Sequence, residues 1–283
     1  MLRRYFLLST AAAAAAPVYE NKKDLLFYLD PQGRRRVVRT PEDWKIRAGH
    51  LRENMERVMG PLPAPATAPL DMRVLDETSM PGYVRRHVTF VPEPGDRLPG
   101  YLSAPAKVSG RLPAMVCLPG SSKPGKDAPA GLVRDRPNMG YAHELAQRGY
   151  VTLALDYPLL HTREYATDPY QMGYASATMK GIVNHRRGFD LLASLPYVNP
   201  KAIGVIGHSL GGHNALFLAA FDERVAAVVS SCGFNVFAKH HGGDITAWSR
   251  KYYMPRIETE YGNDPARLPF DFTEVLGALA PRP

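Results

Sequence analysis

Cysteine is nearly missing: two thiols in 283 residues exclude a fold stapled together by disulfides. Cys117 and Cys232 fall at the ends of two expected core strands, where a buried free thiol is the usual state. If another strand runs between those two, their Cα atoms stand further apart than the roughly 5.5 Å of a bridge. Beyond residue 16 no apolar run approaches the roughly 20 residues that span a bilayer, so no membrane helix is expected there. A concentrated basic surface is absent too. The net charge is +8, but the 35 Lys and Arg residues are scattered, and the one tight run, residues 34–36, lies beside Pro31 and Gly33 as a solvated loop. Nucleic acid is therefore not an expected partner. Repeats are lacking, and the only low-complexity tract is the alanine run at residues 11–16. What is present, 45% hydrophobic and 22% charged residues, suffices for the core of one large globular domain with a preface.

The preface has two parts. Residues 1–16 carry Arg3 and Arg4, then an apolar run, then Pro17, which is the charged, greasy and small-residue order of a signal peptide. Arg3-Arg4-Tyr5-Phe6-Leu7-Leu8 also resembles the twin-arginine export signal of bacteria. Export to the periplasm or the medium with cleavage near Ala16 is expected, leaving a mature protein off the membrane. Residues 17–82 form a leader with one packing helix. Thr40-Pro41-Glu42-Asp43 supplies the cap, the first-turn proline and the acids of a helix start. Trp44, Leu51, Met55 and Val58 follow at helical spacing, and Gly60-Pro61 stops it. The proline- and alanine-rich residues 61–69 read as a connector.

Residues 83–283 are expected to be the main domain. Residues 83–91 alternate, with Val84, Val88 and Phe90 on one face and Tyr83, Arg85, His87 and Thr89 on the other. A turn follows, and residues 97–103 return as an antiparallel partner. The pattern then changes. Strands are expected at 113–118, 151–155, 202–207 and 225–230, and helices at 141–148, 177–195 and 210–221, the second with Ile182, Val183, Phe189 and Leu192 inward. Alternating units of this length imply an α/β fold, a mostly parallel central sheet flanked by helices.

Gly207-His208-Ser209-Leu210-Gly211 matches the G-x-S-x-G nucleophile elbow. Its context gives the match weight: a buried-strand pattern, Ala202 to Ile206, precedes it and a small-residue helix start, Gly212-His213-Asn214, follows. An elbow strains the serine backbone to lift its hydroxyl at the carboxyl edge of the sheet, and side chains at the flanking glycines would clash. Ser209 is the expected nucleophile. The N–H of Leu210, at the amino end of the following helix, is the expected first oxyanion donor.

With these residues, and with Tyr141-Ala142-His143-Glu144-Leu145-Ala146-Gln147-Arg148-Gly149-Tyr150, Leu155-Asp156-Tyr157-Pro158 and Phe189-Asp190-Leu191-Leu192, the chain resembles the α/β-hydrolase superfamily. The resemblance runs from about Trp44 to the end, toward the dienelactone hydrolase-like and acetyl xylan esterase-like branch. It implies a secreted serine hydrolase that cleaves a carboxylic ester of a small molecule or carbohydrate, with no cofactor and no metal. The second oxyanion donor is expected in Pro119-Gly120-Ser121-Ser122, from the backbone of Gly120 or Ser121. Proline stands at 119 where the family usually has histidine, a change that leaves those two amides in place. Asp156 reads as an organiser of its loop.

The family order, serine then acid then histidine, is not met. After Ser209 the histidines are His213, one helical turn on and expected to pack, and His240 and His241 in a Gly-rich loop with Asp244, where a metal site is not expected because adjacent histidines do not converge. Asp222 is expected at the opposite sheet edge from Ser209. Residues 280–283 fall where proteins of this resemblance enter a strand carrying the acid. Acid and base are therefore expected beyond Pro283, with the last strands of the fold lacking and the 283-residue chain itself inactive. The segment 234–272, with Trp248, Tyr252, Tyr253, Met254 and Tyr261, reads either as a pocket-shaping cap or as packing. A prolyl oligopeptidase-like peptidase and a non-catalytic binding protein lacking acid and base stay open as alternatives.

Overall fold

The computed structural model describes residues 15–160 and 164–283, so the export signal expected at 1–16 lies almost wholly outside the described residues. Helix α1 (Pro41–Met59) starts where its sequence requires. The Thr40 hydroxyl accepts the Asp43 N–H, and the Asp43 carboxylate accepts the Thr40 N–H in return. Leu51, Met55 and Val58 are buried as their spacing implies, while Gly60 ends the helix. Leader residues before α1 dock on it: the Asn54 amide donates to Pro17 O at 2.9 Å, and the Arg47 guanidinium stacks 3.3 Å from the Tyr19 ring centroid. Of residues 34–36 only Arg34 stays in the turn, while Arg35 and Arg36 enter a strand. Strands β1 (Phe27–Leu29) and β2 (Arg35–Val37) pair antiparallel, with Arg34 and Arg36 both held by Asp30 across the ribbon.

The main sheet has seven strands, β3 (Arg73–Met80), β4 (Tyr83–Phe90), β5 (Leu98–Pro105), β6 (Leu112–Leu118), β7 (Val151–Leu155), β8 (Val198–His208) and β9 (Val228–Ser231). Their order is β3-β4-β5-β7-β6-β8-β9, antiparallel as far as β7 and parallel from there to β9. Strand β3 escapes sequence reading because Arg-Val-Leu-Asp-Glu-Thr-Ser-Met does not alternate; it is an edge strand exposed along nearly all its length. The sheet thus starts inside the stretch read as leader. Helices α2 (Tyr141–Gln147), α3 (Ala177–Ser194) and α4 (Leu210–Phe221) cover the parallel strands, and two short helices follow, α5 (Arg256–Thr259) and α6 (Phe272–Gly277). None of the described helices is long and apolar enough to cross a membrane.

Three finer expectations change. Tyr83, on the face shared with Arg85, His87 and Thr89, is the one residue of that set that is fully buried, its hydroxyl 2.7 Å from Nδ1 of His143 on α2. Val183 is only half-buried, and its neighbours Asn184 and His185 take the buried positions of α3. Both cysteines are free and β8 separates their strands, but Cys232 is exposed because it follows β9 at the sheet's end. Beside it, the Val228 N–H donates to Pro283 O at 2.9 Å.

Candidate active site

Strand β8 and helix α4 meet at Ser209, whose backbone stands at φ 54° and ψ −116°, a region that costs a non-glycine residue roughly 1–3 kcal/mol. The turn is tight enough to dictate its glycines. A Cβ on Gly207 would lie 2.2 Å from the carbonyl carbon of Gly211, and one on Gly211 would lie 2.1 Å from Leu118 O. The Ser209 N–H donates to Ser231 O at 2.7 Å and Ser209 O accepts the His213 N–H at 2.9 Å, so both sides of the strained residue are tied. Its hydroxyl caps no amide of α4. Leu210, as the first residue of that helix, has an N–H without an intrahelical acceptor at the positive end of the dipole.

The loop after β6 comes up against this turn. A Cβ on Gly120 would stand 3.4 Å from His208 O and 3.8 Å from Ser209 Cβ, so the Gly120 backbone faces the nucleophile across one van der Waals layer. The loop turns on itself through Ser122 N–H to Gly120 O at 2.8 Å. Asp156, buried at the end of β7, accepts the Lys126 N–H from the same loop at 2.9 Å, the geometry of a loop organiser.

The histidines that follow Ser209 are placed elsewhere. His213 points into the core, with Nε2 3.1 Å from Thr178 Oγ1 and the rings of Phe217, Trp248 and Tyr253 centred 4.6, 5.2 and 5.1 Å away. Burial pulls its pKa down to about 3, so it stays neutral. His240 sets its edge against Trp248, and His241 beside it is held at φ 44°. Asp222 caps the far end of α4, about 18 Å along its 12 residues, and is paired there with Arg224 and Arg186. Among the described residues, histidine rings bond Tyr19, Tyr83, Glu164, Thr178 and Ser231, never the Ser209 hydroxyl. Among the same residues no three His, Cys, Asp or Glu side chains converge as a metal site.

Sequence reasoning passed over His208. Its Nδ1 lies 3.0 Å from Ser231 Oγ, which places the ring between the Gly120 loop and the end of β9. The variable position of the elbow motif gave the only signal. Of the aromatics in 234–272, Trp248, Tyr253 and Phe272 pack on His213, and Phe237 packs on Trp248 and Phe272, so that segment is mainly core. The residues gathered around the Leu210 side chain come instead from the stretch after β7, Tyr157, Leu159, Leu160 and Ala177, with Tyr170, Tyr252 and Tyr253 against them.

Comparison with known proteins agrees with this architecture. The Abhydrolase family model matches residues 22–162, and the model for the C-terminal part of BAAT / acyl-CoA thioester hydrolases matches residues 185–257. The Pseudomonas aeruginosa protein PA2218 is 32% identical over 204 residues, 69% of this chain and 51% of its own length. The chain thus spans about half the length of that relative. Among solved structures, a Bacteroides fragilis protein described as an acetyl xylan esterase superposes with a TM-score of 0.66 at 21% identity, covering 87% of this chain and 68% of its own. The glucuronoyl esterase of Solibacter usitatus gives 0.68 at 19% identity, covering 95% and 79%. At such identities the likeness is one of fold.

Proposed function

This chain belongs to the α/β-hydrolase superfamily, and from that premise we propose that it hydrolyses a carboxylic ester through an acyl-enzyme on Ser209. The observation that carries the reading is the strained Ser209, fixed between two glycines that admit no side chain and faced by the Gly120 backbone. The Ser209 oxygen adds to the ester carbonyl. The resulting oxyanion is met by the Leu210 N–H and by the N–H of Gly120 or Ser121 in a field set by α4. Collapse of the intermediate expels the alcohol, and water then releases the acid. No cofactor enters this chemistry.

The Ser209 proton needs a base and the base needs an orienting acid. We place both outside residues 1–283. The commitments of the described histidines and the greater length of PA2218 support that placement. A burst of ester hydrolysis from the 283-residue chain, lost in Ser209→Ala, would overturn it. A carbohydrate ester is the substrate class suggested by the names of the two structural relatives, and residues 1–16 suggest export.

The test is made on the full-length protein with matched acetate ester and anilide substrates and a fluorophosphonate probe. Ester turnover together with probe labelling, both abolished by Ser209→Ala, is expected. Preferred cleavage of the anilide would indicate a peptidase. Absence of labelling would favour a binding protein that keeps the elbow without acid and base.

A further inference from the structure

A Gly-Ser loop holds an amide in place poorly by itself, because Gly120, Ser121 and Ser122 have little side chain to pack. An oxyanion donor displaced by about 1 Å loses on the order of a hundredfold in rate. The loop after β6 is instead fastened at both ends. At its root the Tyr141 hydroxyl donates to Leu118 O. At its far end Lys126 binds one residue twice: its N–H donates to Asp156 Oδ1 at 2.9 Å, and its ammonium lies 3.3 Å from Oδ2.

Both side chains are sealed from solvent, Lys126 at 3% exposure and Asp156 at 0%. The ammonium also meets Glu164 Oε2 at 3.0 Å and Asp127 Oδ1 at 3.6 Å, and lies 5.3 Å from the centre of the Tyr101 ring. Burial alone would discharge the lysine, but the surrounding carboxylates, Asp156 foremost, outweigh it and raise its pKa. From Lys126 the loop is bonded stepwise back to the nucleophile. Gly125 N–H donates to Ser122 O at 3.0 Å and Ser122 N–H to Gly120 O at 2.8 Å. Gly120 in turn rests against His208 and Ser209.

We propose that Lys126 and Asp156 are a positioning pair that holds the amides of Gly120 and Ser121 at the oxyanion site. Neither residue touches the reacting atoms. The pair acts through the hydrogen-bonded loop, and the inference rests on the ester-hydrolase reading of Ser209.

The experiment compares Lys126→Met, Lys126→Arg, Asp156→Asn and Ser209→Ala in the full-length protein, with p-nitrophenyl acetate as substrate and an arylboronic acid as the tetrahedral analogue. Lys126→Met is expected to lower kcat by about 10- to 100-fold with KM within about twofold, and to weaken boronate binding in parallel. Lys126→Arg should recover part of both, since it keeps the cation. Asp156→Asn keeps an acceptor for the Lys126 N–H and should fall between; if Lys126→Met does not fold, Asp156→Asn decides by the same split. An unchanged kcat, a rise confined to KM, or boronate affinity that does not follow kcat would overturn the positioning role and leave the Ser209 reading standing. Full activity in Ser209→Ala would remove both.

Discussion

Gly211 and the carbonyl of Leu118 stand so close that a Cβ on the glycine would lie 2.1 Å from the oxygen. This contact joins the first turn of α4 to the end of β6, and so ties the nucleophile elbow to the root of the loop that carries the second oxyanion donor.

Gly211→Ala must therefore separate those two elements. The expected result is a loss of stability of about 3 kcal/mol, the upper range for overpacking, read by urea unfolding, together with loss of ester turnover even where the variant is folded. Gly49→Ala is the control, since a Cβ there meets nothing within 4 Å and its backbone is ordinary helix.

Replacing the nucleophile separates strain from function. Ser209→Gly removes the side chain from a backbone at φ 54° and ψ −116°, whereas Ser209→Ala keeps the Cβ and its strain. Both should be inactive. The glycine variant should be the more stable by about 1 kcal/mol, what remains of the relieved strain after the entropy cost of glycine. Equal stability of the two would mean that the elbow stores no strain at Ser209.

Much of this was legible in the sequence wherever the chemistry is local. Thr40-Pro41 marks the start of α1, the apolar runs mark β6 to β8, and the glycines at 207 and 211 mark the elbow, because a cap, a buried strand and a forbidden Cβ each leave a short signature. Strand β3 left none, since an exposed edge strand has no face to alternate. The Lys126–Asp156 pair left none either. The partners are 30 residues apart, and only the crossover from β6 through α2 to β7 brings them together. His208 was hidden by the motif itself, which treats its position as free.

The buried imidazoles should make the fold acid-labile. His213 and His185 both have folded pKa values of about 3, depressed chiefly by burial, against an ordinary 6.5. Below 6.5 the unfolded chain takes up protons that the folded chain refuses. Stability from these groups is thus full above pH 6.5 and is lost as the pH falls toward 3, at about 1.4 kcal/mol per pH unit for each group. His213→Phe should remove one such slope from a series of denaturant unfolding curves between pH 7 and 4 while leaving the other. A parallel offset at every pH would mean that His213 is protonated inside the fold.

Arg47 and Glu274 form a second buried ion pair, 2.8 Å apart with neither side chain exposed, and it joins α1 to α6 beneath the leader. Burial pushes the Glu274 pKa up to about 7, with Arg47 opposing. The rise means that the ionised carboxylate is held at a cost. Removing one partner should be far worse than removing both. Glu274→Leu alone strands a guanidinium whose Nε and Nη1 already lack hydrogen-bond partners among the described residues, and should cost about 3–5 kcal/mol. Arg47→Met combined with Glu274→Leu should recover most of that loss, because methionine still packs on the Tyr19 ring and no charge is left buried. A double-mutant cycle in urea reads the difference. Additive losses would mean that the pair is not coupled. The sign of the pH effect gives an independent check: since the folded pKa lies above the ordinary 4.5, the Glu274 contribution should become more favourable as the pH falls from 7 to about 4.5, opposite to the trend set by the histidines, and the double variant should lose that component.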